Sequence, residues 1–145
     1  MYNERFTDSL VENAIEELGE VLPMSHIDLI RVSGAFEIPA TVANLLERDN
    51  YNCVIALGLI IRGETGHADL IASSVTNALQ GISVQHRIPV IHEVLLVENE
   101  KQAHARCIGS IKNRGREAAR AAANIIEVFA EIAKSMRLED NRKSN

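Results

Sequence analysis

Cys53-Val54-Ile55-Ala56-Leu57-Gly58-Leu59-Ile60-Ile61 runs straight into Arg62-Gly63-Glu64-Thr65-Gly66-His67. The first nine residues are almost continuously apolar rather than alternating, the pattern of a strand covered on both faces. A strand of that kind belongs near the centre of an α/β sheet. The loop after it carries two glycines, a hydroxyl and an imidazole. It falls where such a sheet binds ligands, in the crevice beyond the carboxyl ends of its strands, where backbone amides and helix N-termini converge.

A second segment of the same kind, Ser33-Gly34-Ala35-Phe36-Glu37-Ile38-Pro39, follows residues 27–32, which are apolar-rich and read as another strand. Pro39 suits the first turn of a helix running to about Leu46. Working outward, residues 8–20 set Leu10, Val11, Ala14, Ile15 and Leu18 at helical spacing, with Gly19 as a stop signal. Residues 70–82 have helical spacing, residues 88–97 read as a third strand, and a further helix begins at residues 101–105. From Gly115 the chain is alanine-rich and helical to about Met136, and the polar residues 137–145 read as a frayed tail. The alternation predicts an α/β class: one domain over residues 1–136, with a parallel sheet between helical layers. Only three strands are legible. Residues 2–6 stand directly before the first helix, where an α/β fold normally finishes a strand, so the first strand is expected to be missing from this chain.

Composition narrows the class. A chain of 145 residues with 46% apolar content buries a core without disulfides or metal. Cys53 and Cys107 show no metal-ligand spacing and read as inert thiols, consistent with a reducing cytoplasm. With no membrane-length apolar stretch and no charged-then-apolar leader at Met1, the chain reads as soluble, untargeted and cytoplasmic. A net charge of −5 and 3% aromatic content argue against nucleic acid, the basic residues between 106 and 120 being the exception.

Gly34-Ala35-Phe36-Glu37-Ile38-Pro39, then residues 57–67, then Ile88-Pro89-Val90-Ile91, then Arg106 with Lys112-Asn113-Arg114-Gly115 form an ordered combination. Each motif alone is weak, but the set is specific, and it resembles the 6,7-dimethyl-8-ribityllumazine synthases over residues 2–128. The resemblance implies a flavodoxin-like three-layer α/β/α sandwich and a homo-oligomer with active sites shared between neighbouring subunits. That oligomer is a pentamer, a decamer or a 60-subunit shell. It further implies condensation of 5-amino-6-(D-ribitylamino)uracil with 3,4-dihydroxy-2-butanone 4-phosphate, without a cofactor, through a Schiff base, loss of phosphate and ring closure. Riboflavin synthase is the protein partner it suggests, and no membrane is involved.

The same resemblance implies roles for residues. His67 is the proton-transfer residue, a task that imidazole suits by titrating near neutral pH; taken alone it reads as a surface or capping histidine. His26, His86 and His104 gain no such support. Arg106 matches the phosphate-binding arginine, with a donor fork suited to a dianion. Glu64 and Thr65 add backbone amides and a hydroxyl at a helix start, the Glu64 carboxylate pointing outward. Ala35, Phe36 and Glu37 hold the ribityl chain and ring of the pyrimidine, while the plainer reading is a tight turn with Phe36 in the core. Tyr2 stacks on the pyrimidine. Ile60 and Ile61 supply wall and backbone contacts, or are simply the end of a core strand.

Three positions depart from the family pattern: His92 stands for a phenylalanine, Glu93 for a small residue, and Arg114 for a lysine near the pyrimidine. His92 either adds a titrating group to the pocket or pairs with Glu93 or Glu64 as a local contact. Two other functions stay open at this point. One is a degenerate, non-catalytic relative that binds flavin or lumazine or forms shells, and the other is an unrelated phosphate-binding α/β enzyme.

Overall fold

β1 (Val54–Ile61) and β2 (Val90–Val97) pair in parallel, in register from Val54 with Val90 to Ile61 with Val97. The structure, a computed structural model, describes residues 3–144. Around this pair lie α1 (Glu4–Val21), a 3₁₀ turn (Ala35–Glu37), α2 (Ile38–Arg48), α3 (His67–His86), α4 (Glu100–Cys107) and α5 (Arg114–Lys143). Parallel strands need a crossover, and α3 supplies it.

The unbroken apolar run of β1 is explained by its two covered faces. Leu57, Leu59 and Ile61 project to one side, where they pack with Leu95 and Val97 of β2 against Phe6, Leu10, Ala103 and Cys107 of α1 and α4. Val54, Ala56 and Ile60 project to the other, where they pack with Val90 and Val94 against Ile38, Val42, Val75 and Leu79 of α2 and α3. Successive strand residues alternate faces, so one run of sequence feeds two cores. Burying side chains such as Val75 and Leu79 stabilises by about 1.5–3 kcal/mol each. The result is an α/β architecture with helices on both sides of a parallel sheet.

α5 lies along α1, and its alanine-rich start is what allows the approach: Ala118, Ala119 and Ala122 are buried there. Gly115 is the tightest point. A Cβ on it would stand 2.5 Å from the Leu10 carbonyl oxygen and 3.2 Å from the Ala14 nitrogen. The turn before α5 is organised by buried Asn113, whose amide donates to the Cys107 and Gly109 carbonyls and whose oxygen caps Arg116 N–H, all at 3.1 Å.

Residues 27–32 do not form the expected strand. Among the described residues no backbone hydrogen bond ties residues 27–33 to another segment, and Leu29 and Ile30 are 53% and 49% exposed. Apolar, β-prone residues become a strand only when a neighbour takes up their backbone groups, and none is in reach. Between this segment and β1 runs a groove of about 600 Å³, lined by Val11, Ile15, Ile30, Cys53, Leu57 and Ile126. It follows the open edge of β1. Val54 N–H and Arg62 N–H both reach across to β2, so the odd-numbered residues of β1 face away from it, and the Leu59 carbonyl accepts from the Asn3 side-chain amide at 3.2 Å.

Two helix ends also differ from the sequence reading. α1 passes Gly19, which has open space around it, and stops at Val21. α5 continues to Lys143 through residues expected to fray, ending in Arg142 and Lys143, charges that suit a helix C-terminus.

Gly115→Ala is expected to cost about 1–3 kcal/mol in urea unfolding, because the methyl has backbone and not a movable side chain in its way. Gly81→Ala, with nothing within 4 Å, is the control and should be neutral or stabilising by up to about 1 kcal/mol.

Candidate active site

β1 and β2 end side by side, and the ladder runs one bond further, from Arg62 N–H to the Val97 carbonyl at 2.9 Å. The Arg62 guanidinium then forks. One arm donates to Asp69 in the first turn of α3 at 2.7 Å, and the other binds Glu98, immediately after β2. The Asp69 hydrogen bond is the largest of the effects that hold the Arg62 charge above its ordinary range.

The residues between, Gly63 to Gly66, are exposed. Thr65 Oγ accepts from His67 N–H at 3.4 Å, and Leu70 N–H bonds the Gly66 carbonyl, starting α3. His67 is thus the first residue of α3, exposed, at the positive end of the helix dipole. Glu64 is exposed too.

The Ala35–Glu37 turn packs against α3 and β1. Glu37 N–H closes it on the Gly34 carbonyl at 3.2 Å, and Thr41 Oγ donates to the Glu37 carbonyl at 2.9 Å. Phe36 is 59% exposed, so the core reading of that ring is overturned; Ile38, next in line, takes the core place. Ile60 and Ile61 pack into the two opposite cores and so form no shared apolar wall; the Ile60 backbone is taken up by β2, and that of Ile61 faces away from it.

Arg106 lies in the last turn of α4, exposed, and makes no salt bridge among the described residues. α4 is set by Asn99, whose side chain caps Gln102 N–H at 2.9 Å while the Gln102 side chain accepts from Glu98 N–H at 2.8 Å. Tyr2 lies outside the described residues.

The three departures from the family pattern resolve into two contacts. Glu93 and Arg114 bind each other through two bonds of 2.9 Å, and Arg114 also donates to Glu117 at 2.6 Å. Burial pushes the Glu93 carboxyl up while Arg114 opposes it. For Arg114 burial is the largest single effect and favours the neutral form, but the hydrogen bonds and charges of Glu93 and Glu117 together outweigh it and hold the guanidinium above its usual range. The paired guanidinium keeps its proton. His92 meets Thr76, not Glu93 or Glu64. Its Nδ1 accepts from Val94 N–H at 3.1 Å, leaving Nε2–H to donate to Thr76 Oγ at 2.7 Å, and Thr76 donates to the Ala72 carbonyl. This chain fixes a neutral imidazole, and burial lowers its pKa.

Within one chain the site residues form two groups. The His67 loop stands at the carboxyl end of the sheet, and the Ala35–Glu37 turn packs against β1 and α3. His92 stands five residues before the end of β2, about 16 Å along the strand. Glu93 and Arg114 are tied together beside it on the opposite face. Arg62, Asp69 and Glu98 were not singled out from sequence; an arginine closing a strand, with a carboxylate seven residues on, was the available signal. The thiols of Cys53 and Cys107 are both pushed up to about 11 by burial, in keeping with inert cysteines.

Arg114→Met is expected to destabilise by about 1–3 kcal/mol by leaving the buried Glu93 carboxylate unpaired, with Glu93→Gln added to it restoring part of the loss in urea unfolding. His92 contributes stability that is complete above its unfolded pKa of about 6.5 and is lost as pH falls from there toward its lowered folded value. His92→Phe should therefore lose less stability than the native chain between about pH 7.5 and pH 5.5.

A family model describing 6,7-dimethyl-8-ribityllumazine synthase matches residues 1–130. Among curated proteins, the chain is similar to the 6,7-dimethyl-8-ribityllumazine synthase of Methylibium petroleiphilum, with 37% identity over 91% of this chain and 81% of that protein. Its similarity to the synthase of Methylobacterium radiotolerans is 39% over 86% and 75%, and to that of Xanthomonas oryzae pv. oryzae 38% over 88% and 84%. The match takes in both loops, β1 and β2 and the helices that cover them, and the chain belongs to the 6,7-dimethyl-8-ribityllumazine synthase family.

Proposed function

We propose that the chain is a transferase that condenses 5-amino-6-(D-ribitylamino)uracil with 3,4-dihydroxy-2-butanone 4-phosphate, giving 6,7-dimethyl-8-ribityllumazine and phosphate. The observation that carries the reading is His67, an exposed imidazole opening α3 directly beyond a buried strand, with the Ala35–Glu37 turn packed against that same helix. Schiff-base formation, phosphate loss and ring closure each move protons, and His67 takes and returns them. Ala35, Phe36 and Glu37 receive the ribityl-pyrimidine. Thr65, the loop amides at Glu64 and the helix dipole favour the phosphate, and Arg106 supplies a guanidinium with no competing carboxylate among the described residues. Tyr2 stacks on the pyrimidine, as the resemblance implies.

The separation of His92 and Arg114 from the two loops supports a site completed by a neighbouring copy, hence a homo-oligomer built on a pentamer. In that site Arg114 acts from within its pair with Glu93 and Glu117, and His92 presents a neutral ring. No helix among the described residues is long and apolar enough to cross a membrane, in keeping with a cytoplasmic enzyme that hands its product to riboflavin synthase. The non-catalytic reading draws on the expected missing first strand and on the altered His92–Glu93 pair. The contacts of His92 to Thr76 and of Glu93 to Arg114 account for that pair, and the chain retains His67, Thr65 and Arg106.

Purified protein mixed with both substrates should yield the fluorescent lumazine and free phosphate, and His67→Ala should slow turnover by about a hundredfold or more. Arg106→Ala should raise KM for the butanone phosphate far more than for the pyrimidine, since only the former carries phosphate. Absence of product from the native chain would overturn the reading.

A further inference from the structure

We propose that Arg62 is a positioning residue that holds the His67 loop in its working place; the inference rests on the role of His67 proposed above. Four observations carry it. Arg62 is the first residue past β1, and its backbone is still bonded to Val97 of β2, so its Cα belongs to the rigid sheet and not to the loop. Its two guanidinium arms end on two different elements, Asp69 in the first turn of α3 and Glu98 at the exit of β2. Gly63, Glu64, Thr65 and Gly66 are exposed, and no side chain of the body packs over the two glycines of that loop, whose Cβ positions have nothing within 4 Å. Asp69 stands two residues after His67 in the same helical turn, so a force on one is transmitted to the other through helix backbone.

The loop is therefore held at its ends and not along its length. The Arg62–Asp69 arm closes residues 62–69 into a ring, and the Glu98 arm ties that ring to the second strand. Glu98 is itself anchored, its N–H bonded to the Gln102 side chain at the start of α4. A catalytic group displaced by an ångström loses much of its rate advantage. Neither partner alone supplies this bracket: a lysine at position 62 is a single point charge and reaches one carboxylate at a time, where the guanidinium fork reaches both.

The test is a double-mutant cycle in the two-substrate assay, with His67→Ala and thermal unfolding run alongside. Arg62→Met and Asp69→Asn should each lower kcat about tenfold, with KM for both substrates near the native value. The double variant should be no worse than the worse single one, because both remove the same clasp. Arg62→Lys should recover part of the lost kcat. Losses that multiply in the double variant, or an Asp69→Asn variant with native kcat, would overturn the proposal. So would a raised KM for the butanone phosphate in Arg62→Met alone, which would make Arg62 a direct phosphate ligand. If His67→Ala is impaired while Arg62→Met is native, positioning fails and the site reading stands; if His67→Ala keeps full activity, both fall together.

Discussion

Everything in this fold depends on β1 being covered on both faces. Its parallel pairing with β2 and its two-sided burial account for the apolar run, for the two separate cores, and for the loop at its carboxyl end. A strand with one wet face would have read as an alternation and would have placed its helices on a single side. Because Leu57, Leu59 and Ile61 answer to α1 and α4 while Val54, Ala56 and Ile60 answer to α2 and α3, the residue that follows, Arg62, emerges from a segment clamped from two directions. The exposed loop bearing His67 starts from a strand packed on both faces.

The sheet is also unfinished on one side. The open edge of β1, the backbone of residues 27–33 and the groove between them share one cause, the absence among the described residues of a backbone neighbour that would satisfy both. Asn3 does a fraction of that task by giving its side-chain amide to the Leu59 carbonyl, and its own Oδ1 is buried without a hydrogen-bond partner among the described residues. The Ala35–Glu37 turn keeps its place regardless, since it is held by α3 and β1 and not by residues 27–32.

Residues that look like separate departures in the sequence prove to be two compensated contacts. A carboxylate on β2 and an arginine at the start of α5, twenty-one residues apart, form one bidentate pair. A histidine on β2 and a threonine on α3 form another contact, in which the tautomer is dictated by the Val94 N–H. Neither pairing follows from spacing along the chain, because the partners meet only when α3 and α5 are laid on opposite faces of β2.

The sequence by itself determined the α/β class, a strand covered on both faces, the order of the helices and the two glycine-bearing loops, because local periodicity and turn chemistry act over a few residues and are written in adjacent letters, whereas the central place expected for that strand is an edge in the described two-stranded sheet. It also singled out His67 and Arg106 through the motifs around them. What only the tertiary structure decided were the matters of partnership. Residues 27–32 have strand-like side chains but no strand beside them, Phe36 lies outside while Ile38 takes the core, and Arg62 joins Asp69 to Glu98 across the end of the sheet. A hydrogen bond or a salt bridge is a property of two groups at a distance of about 3 Å. Which two groups reach that distance is set by the packing of whole elements, and a single strand or loop does not carry that information.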